Sequence, residues 1–293
     1  MFPRPRTGFL TAISRPRSGL PTAFVILLVP LLAFAGPRDA AAWGCAGHVI
    51  VATGALDLAS PATRTAIADL LDGGSLQAAS CWLDDIRSSR PDTKRWHYVD
   101  IPGGATSYDP ARDCAPTPEG DCLVAAIGRA RTALADPARP RAERAEALRV
   151  LAHLVGALHQ PLHCDDHDDH GGNAVGIEFL GDRTNLHQLW DSGFVEQELR
   201  ESWNWPGFPE SVYALLDGER GAARGEVVDW AMETHALGES TVYARLPDDR
   251  RLGLDALRRD EPVLRRQLAR ASVRLAALLD ATLGQPPVGA SRP

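Results

Sequence analysis

The sequence lacks an excess of basic residues. Its 31 lysines and arginines are outnumbered by 38 aspartates and glutamates, which gives a formal charge of −7. Proteins that hold nucleic acid over a broad electrostatic surface usually present a basic face. The overall composition argues against that mode of binding. If the substrate is a phosphodiester, bound cations must supply the positive charge at the site.

Long apolar runs are also scarce. The main one, residues 20–35, is interrupted by two prolines and follows a segment that carries four arginines. A basic segment, a short apolar core and small residues just before Trp43 are typical of a secretory signal. We therefore expect residues 1–42 to be a signal peptide; an uncleaved membrane anchor is the alternative. Removing its five arginines and one aspartate would lower the formal charge from −7 to −11.

The rest of the chain contains no internal repeat and no clear linker. We predict one domain, residues 43–283, followed by a disordered tail, residues 284–293, that is rich in proline, serine and glycine. No later stretch is apolar enough to cross a bilayer. We therefore expect a secreted or periplasmic protein without stable membrane association, and we expect it to be a monomer.

Cysteine is scarce: there are five, and all follow residue 42. This usage fits an oxidising compartment. Cys114 and Cys122 bracket a loop rich in proline and glycine, so we predict a local disulfide between them. Cys45, Cys81 and Cys164 each lie near candidate metal ligands. Two of these three could pair and leave one over, or they could ligate metal; the sequence leaves the pairing open.

The apolar pattern predicts an all-α, single-domain helical bundle. The clearest helix is Pro140–Gln160, where leucines and a valine recur every three or four residues and Pro161 ends the pattern. Residues 92–120 and 164–182 are predicted to be loop-rich, with a short hairpin near Ile177–Leu180. Further helices are predicted over Ala46–Leu58, from Ser60-Pro61 to near Gly73-Gly74, and over Asp121–Ala135, Arg183–Leu199 and Pro262–Leu283.

Histidine is concentrated, with seven of nine between His97 and His187. His187 and Asp191 are four residues apart on one predicted helix face, which suits chelation of a divalent ion. His153 lies off the leucine stripe of its helix, where a second core could receive it. His163 follows ten residues later.

Further candidate ligands come from the start of the mature chain. If cleavage exposes Trp43, its amine and carbonyl oxygen could both ligate a metal beside His48. Asp84 and His97 add an oxygen and a nitrogen. Imidazole and carboxylate groups with a free amine suit zinc. The remaining histidines are assigned to loops, the surface or supporting positions: His159, His167, His170 and His235.

The predicted mature chain contains six motifs: WGCAGH (43–48), CWLDDIR (81–87), WHYVD (96–100), HLVGALHQPLH (153–163), GGN (171–173) and NLHQLWD (185–191). In content and order they closely resemble those of the zinc-dependent, single-strand-specific nucleases, a family that shares its fold with zinc phospholipase C. The resemblance implies a helical domain with up to three zinc ions at the bottom of a cleft.

The resemblance also implies roles for individual residues. One zinc would take Asp84, His97 and His153; a second would take His163, His187 and Asp191; the third would take the Trp43 amine and carbonyl with His48. Arg87 would steady the phosphate, Tyr98 would stack on a base, Asp100 would contact the base edge, and Asn173 would contact substrate. Ordinary core packing is the alternative for Tyr98.

One position departs from the family pattern. Ala157 stands where the family has an aspartate that bridges the first and third zinc ions. Three accounts compete: a weakened third site, a compensating carboxylate from the Asp165–Asp169 loop, or an inactivating replacement. Because the other ligands are present, we expect the cluster to form at least in part.

The leading functional hypothesis is a secreted, zinc-dependent endonuclease that hydrolyses single-stranded DNA and RNA, with 3′-nucleotidase activity as a further expectation. Nucleic acid and nucleotides would be its substrates. One alternative is a zinc phospholipase C-like phosphodiesterase. The other is a catalytically impaired homologue that binds metal or nucleotides.

Overall fold

The computed structural model describes residues 43–201 and 207–284. The predicted signal peptide, residues 1–42, and the predicted tail beyond Gly284 lie outside these residues. The helices are α1 (Gly44–Leu58), α2 (Pro61–Leu70), α3 (Leu76–Ile86), α4 (Pro110–Asp113), α5 (Leu123–Ala135), α6 (Arg141–Ala157), α7 (Leu186–Gln188), α8 (Phe194–Glu201), α9 (Phe208–Tyr213), α10 (Val227–Leu237) and α11 (Leu254–Leu283). The strands are β1 (Gly176–Phe179), β2 (Asp182–Asn185) and β3 (Arg251–Leu252).

The predicted all-α class is confirmed, and α6 is its central helix. It packs against α1, α3, α5 and α11. Its leucine stripe is fully buried, and so is His153 on another face, because α6 is covered from several sides. The helix ends at Ala157 rather than at Gln160. Pro161 then opens a short 3-10 turn.

The last helix begins eight residues earlier than predicted. Pro262 does not start α11 but lies inside it. A proline at an interior position removes one backbone hydrogen bond. Helical geometry before Pro262 is nevertheless held by Leu257, which is buried, and by Asp260, which pairs with Arg245 at 2.9 Å.

The predicted hairpin is confirmed, but its second strand replaces a predicted helix start. Strand β1 pairs antiparallel with β2 and parallel with β3. Leu180 and Gly181 both have positive φ angles, as a tight hairpin turn requires. Residues 183–185 are therefore strand rather than helix. Asn185 ends the strand and caps α7, since its side chain accepts from the Gln188 backbone N–H at 2.7 Å.

Two disulfides fasten the loops and helices. Cys114–Cys122 is present as predicted, and Cys45–Cys81 joins α1 to α3. Cys164 is left as a buried thiol. None of the helices in residues 43–201 and 207–284 has the length and apolar composition of a membrane-spanning segment.

Candidate metal centre

A first cluster of imidazole and carboxylate groups forms where α1, α3 and α6 meet. His48, Asp84 and His153 each offer one ligand atom, and these atoms lie within 4.8 Å of one another. His97, at the end of the 3-10 segment Pro91–His97, completes the group. Its Nε2 is 3.4 Å from Asp84 Oδ1, and the Nε2 of His153 is 3.7 Å from the same oxygen. We refer to these four residues as the first cluster.

Two of the three imidazole rings of the first cluster, those of His97 and His153, are oriented by backbone carbonyls. Nδ1 of His153 donates to the Ser80 carbonyl at 2.8 Å, and Nδ1 of His97 donates to the Thr93 carbonyl at 3.1 Å. Each Nε2 then faces Asp84 with its lone pair. These two nitrogens and Asp84 Oδ1 are buried without a hydrogen bond. A divalent cation would satisfy all three atoms, and carbonyl-fixed histidines are usual around metal sites.

The electrostatics of the first cluster suit a cation. Burial, reinforced by the neighbouring His48, lowers the pKa of His153 well below its ordinary value of 6.5, so its ring is neutral at neutral pH. Burial opposes ionisation of Asp84, but the imidazoles of His153, His97 and His48 outweigh it and lower the pKa of that carboxyl. The cluster therefore combines neutral nitrogen donors with a carboxylate.

A second cluster contains His163, His187 and Asp191. Nε2 of His163 is 3.2 Å from Asp191 Oδ1, and Nε2 of His187 is 3.2 Å from Asp191 Oδ2. Asp191 lies in a π-helical turn, Leu189–Gly193, a type of distortion that is frequent at functional sites. The predicted chelating pair is thus brought together with the predicted third ligand.

Every member of the second cluster is fixed by a neighbour. His163 donates from Nδ1 to the His97 carbonyl, and His187 donates from Nδ1 to the Gly171 carbonyl, each at 2.7 Å. Gln160 donates to Asp191 Oδ1 at 2.6 Å. Sequence reasoning assigned no role to Gln160, although its place between two metal-ligand candidates was a usable signal.

The pKa values of the two histidines diverge. Burial lowers the pKa of His163. Burial also opposes protonation of His187, but its contact with Asp191 outweighs that effect and raises its pKa. The imidazoles in turn lower the pKa of Asp191 against the effect of its burial.

Trp43 begins the described chain beside the first cluster. Its carbonyl accepts the Gly47 backbone N–H at 3.2 Å, and its indole donates to the Gly156 carbonyl on α6 at 2.8 Å. Gly156 also allows close approach of α1, because a Cβ there would lie 2.8 Å from His48 Nδ1. These contacts place the predicted start of the mature chain next to His48.

In the loop after His163, the carboxylates of Asp165, Asp166 and Asp169 contact groups other than Ala157. Asp166 accepts from the backbone N–H groups of Asp169 and Gly171 at 3.0 Å. Asp169 accepts from Gly172 and from the hydroxyl of Tyr243. Asp165 faces His235, 3.0 Å from its Nδ1. The account in which this loop compensates for Ala157 therefore gains no support.

A cavity of about 350 Å³ opens beside the second cluster. It contains all four predicted substrate-contacting residues and three of the metal-ligand candidates. The complete lining is Arg87, His97, Tyr98, Asp100, Leu162, His163, His170, Gly171, Asn173 and His187. His170, predicted to be a loop, surface or supporting residue, is an exposed turn residue that also lines this cavity; its place directly before the GGN motif was the available signal.

Backbone hydrogen bonds hold the cavity walls together. The Val99 N–H donates to the His163 carbonyl at 2.8 Å, which joins the Tyr98 segment to the second cluster. Gly171, with a φ of 59°, turns the loop so tightly that a Cβ would lie 2.6 Å from the Leu162 carbonyl oxygen. Tyr98 is half-buried at this wall rather than enclosed in the core.

Comparison with known proteins identifies the family of this chain. The family model described as S1/P1 Nuclease matches residues 43–284. The chain belongs to the S1/P1 nuclease family. This S1/P1 nuclease is therefore a hydrolase of phosphodiester bonds, as predicted, and nucleic acid is its class of substrate.

Named relatives agree with the family assignment. The S1/P1 nuclease is 28% identical to Endonuclease 4 of Arabidopsis thaliana over 293 residues, which cover 90% of this chain and 95% of the relative. It is 27% identical to Nuclease S1 of Aspergillus oryzae (strain ATCC 42149 / RIB 40) over 280 residues, 83% of this chain and 93% of the relative. Against Nuclease P1 of Penicillium citrinum, identity is 31% over 167 residues, 54% and 59% of the two chains.

Proposed function

We propose that this S1/P1 nuclease is a secreted, zinc-dependent endonuclease that hydrolyses single-stranded DNA and RNA, with 3′-nucleotidase activity. The main support is the cavity, which Arg87 and Tyr98 line together with His97, His163 and His187. Buried atoms without a hydrogen bond fit a metal ion in both clusters: two imidazole nitrogens and Asp84 Oδ1 in the first, and Asp191 Oδ2 in the second. The overall acidity of the chain agrees with a site whose positive charge is supplied by bound cations.

The proposed zinc ligands form three sets, the third of which includes the first residue of the predicted mature chain. Asp84, His97 and His153 would hold one zinc, and His163, His187 and Asp191 would hold another. The Trp43 amine and carbonyl with His48 would hold a third, weaker ion. When bound, zinc lowers the pKa of water from about 15.7 to about 7 and neutralises charge that develops on a phosphate.

The chain's own side chains would position the substrate. The Arg87 guanidinium, half-buried at the cavity wall, would donate to the phosphate oxygens in the manner that stabilises developing charge. Asn173 lies at the exposed rim, where its Nδ2 donates to the His170 carbonyl at 2.9 Å. Its amide oxygen would accept from the sugar or base of the bound nucleotide.

Preference for single strands would come from Tyr98. A base must leave its stack to lie on this ring, where stacking contributes on the order of 1–3 kcal/mol. Asp100, 3.4 Å from Arg95 Nη2, would accept from the base edge. Burial, with the nearby Asp166, raises the pKa of Asp100, so the contact to a base is expected to depend on pH.

Turnover assays test the proposal directly. Zinc-loaded protein is incubated with single-stranded DNA, the matching duplex, RNA, a 3′-nucleotide and phosphatidylcholine, each with and without EDTA. We expect EDTA-sensitive hydrolysis that is fastest on single strands and absent on the lipid. Equal rates on single-stranded and duplex DNA would overturn the stated specificity. No turnover of any nucleic acid would favour an impaired binding protein.

Export and metal binding are connected through Trp43. We propose cleavage directly before this residue, because only a free amine can serve as a nitrogen ligand. Sequencing of exported protein should therefore begin at Trp43. A chain that retains Ala42 should bind less zinc than the processed form and turn over more slowly. Unchanged zinc content and rate in the extended chain would remove Trp43 from the ligand set.

A further inference from the structure

A third group of metal-ligating side chains lies outside the cavity described above. Asp165, His167 and Glu239 each offer one ligand atom, and these atoms lie within 4.8 Å of one another. His167 Nε2 is 3.0 Å from Glu239 Oε1 and 3.6 Å from Asp165 Oδ2. None of the three residues lines the cavity that contains Arg87 and Tyr98. We call this group the loop cluster.

The burial of Asp165 distinguishes the loop cluster from a set of surface charges. Its side chain is fully buried, and its Oδ2 accepts no hydrogen bond among the described residues. Oδ1 pairs with His235 Nδ1 at 3.0 Å, and this contact outweighs the effect of burial and raises the pKa of His235. Oδ2 faces His167. A buried carboxylate oxygen without a donor is costly unless a cation lies against it.

The other two ligands are held in place. The His167 ring stacks on Tyr243 with ring centroids 3.9 Å apart. Glu239 Oε1 accepts the Gly104 backbone N–H at 2.7 Å. Both Glu239 and Tyr243 belong to a π-helical turn, Gly238–Tyr243, the same kind of distortion that carries Asp191.

The backbone leaves room for Asp165 at this point. A Cβ at Gly238 would collide with Asp165 Oδ2, so only glycine allows the π-helical turn to approach this carboxylate. His167 and Glu239 each expose about a third of their side chains, at 33% and 34%. Water can therefore complete the coordination of an ion on the solvent side.

We propose that Asp165, His167 and Glu239 bind one further zinc ion, separate from the catalytic centre. One imidazole and two carboxylates are ligand types that zinc accepts, with water in the fourth position. The ion would join the loop after His163 to the π-helical turn Gly238–Tyr243. It would thereby stiffen the loop that contains Gly171, whose carbonyl orients His187.

The competing explanation is a proton. In that case protonated His235 balances the charge of Asp165, and His167 lies between the two carboxylates without any metal. The two explanations differ in zinc content, because a salt bridge retains none. The proposal is therefore tested by counting zinc rather than by measuring activity alone.

Zinc per chain is measured by inductively coupled plasma mass spectrometry after loading with excess Zn²⁺ and desalting. The variants are His167→Gln and Glu239→Gln, both partly exposed; the glutamine at 239 can still accept from Gly104. The matched control is Glu196→Gln, an exposed glutamate on α8 that pairs with Arg200. We expect both loop-cluster variants to hold one zinc fewer than the wild type, and the control to hold the same number. Equal zinc content in all four proteins would overturn the proposal.

Anomalous diffraction at the zinc edge provides a second readout. The expected result is a peak within about 2.0–2.1 Å of His167 Nε2 in the wild type. This peak should persist in Asp191→Asn, which removes a ligand of the catalytic centre. A peak at the loop cluster with no turnover of nucleic acid would retain this proposal and refute the proposed function. An empty loop cluster with normal turnover would do the reverse.

Discussion

The first and second clusters differ in how completely neighbouring residues support them. The second cluster comes from one short part of the chain, residues 160–191, and Gln160 holds its carboxylate. The first cluster collects ligands from α1, α3, α6 and a 3-10 segment, and it lies beside Ala157, which cannot ligate a metal. The comparison predicts that the contacts that orient the rings of the first cluster persist without a carboxylate at residue 157.

The loss at Ala157 is also local. The carbonyls that orient His97 and His153 do not depend on residue 157, because they belong to Thr93 and Ser80. We therefore expect the lack of a carboxylate at residue 157 to weaken the connection between two proposed metal sites, while the rings themselves keep their direction. We expect unequal affinities for zinc rather than a collapsed centre.

The largest predicted effect tests whether the second cluster is indispensable. Asp191→Asn removes the carboxylate charge that both His163 and His187 face, with little change in volume. Because metal activation contributes several kcal/mol, turnover of single-stranded DNA should fall on the order of 10³-fold or more. Zinc per chain should fall with it. Glu196→Gln is the control, and a rate within a few-fold of wild type in Asp191→Asn would contradict the proposed centre.

A smaller effect is expected from the residue that supports Asp191. Gln160→Leu keeps a buried side chain of similar size but removes the 2.6 Å hydrogen bond to Asp191 Oδ1. Loss of such a supporting contact typically reduces metal affinity about 10–100-fold. Competition with a zinc chelator measures this affinity. If the affinity is unchanged, the second cluster does not owe its strength to Gln160.

Placing a carboxylate next to the first cluster should reduce the difference in zinc affinity between the two clusters. Ala157→Asp is expected to raise zinc content and to increase turnover on the order of 10-fold, equivalent to about 1.4 kcal/mol. Ala157→Asn, which has the same size without the charge, separates ligation from packing. An aspartate variant with wild-type zinc content and rate would show that Ala157 does not mark a missing bridge.

The subtlest difference is in protonation once zinc has been removed. The pKa of His187 is raised and that of His153 is lowered well below 6.5, because only His187 is dominated by its carboxylate partner. In chelated protein followed by NMR, His187 should titrate above pH 6.5 and His153 well below it. A higher pKa for His153 than for His187 would contradict the predicted electrostatic difference between the clusters.

The signs for stability follow from the same directions. The contribution of His187 is fully present below pH 6.5 and is lost as the pH rises through its raised folded-state pKa. The contribution of His153 is present above pH 6.5 and is lost as the pH falls toward its lowered pKa. Denaturant titrations of chelated His187→Gln and His153→Gln should therefore differ from wild type at opposite ends of the pH range.

Much of the fold could be predicted from local signals. The spacing of Leu148, Leu151 and Val155 predicted α6, and Ser60 with Pro61 predicted the start of α2. The helix that carries Asp84 was not predicted, although its buried Leu76, Ala79 and Leu83 recur at helical spacing. The Ser75 cap, directly after two glycines, was the signal for it.

The candidate ligands that lie in recognisable motifs could be predicted from the sequence. Contacts between segments that are distant in the sequence could not. The six motifs identified all the side chains of the two clusters. They could not place Glu239 beside Asp165, 74 residues earlier, because that contact depends on how α10 and its π-helical turn return to the loop. The predicted start of α11 at Pro262 was wrong for a similar reason. The buried contacts of Leu257 and Asp260 extend the helix to positions before this proline.

The disulfide between Cys45 and Cys81 has a consequence for the order of maturation. Each cysteine lies three residues before a candidate ligand, His48 on α1 and Asp84 on α3. We therefore expect the covalent bond to restrict the spacing of these two side chains before any ion binds. Oxidation should precede metallation, and a chain kept under reducing conditions should capture zinc more slowly than one that has already been cross-linked.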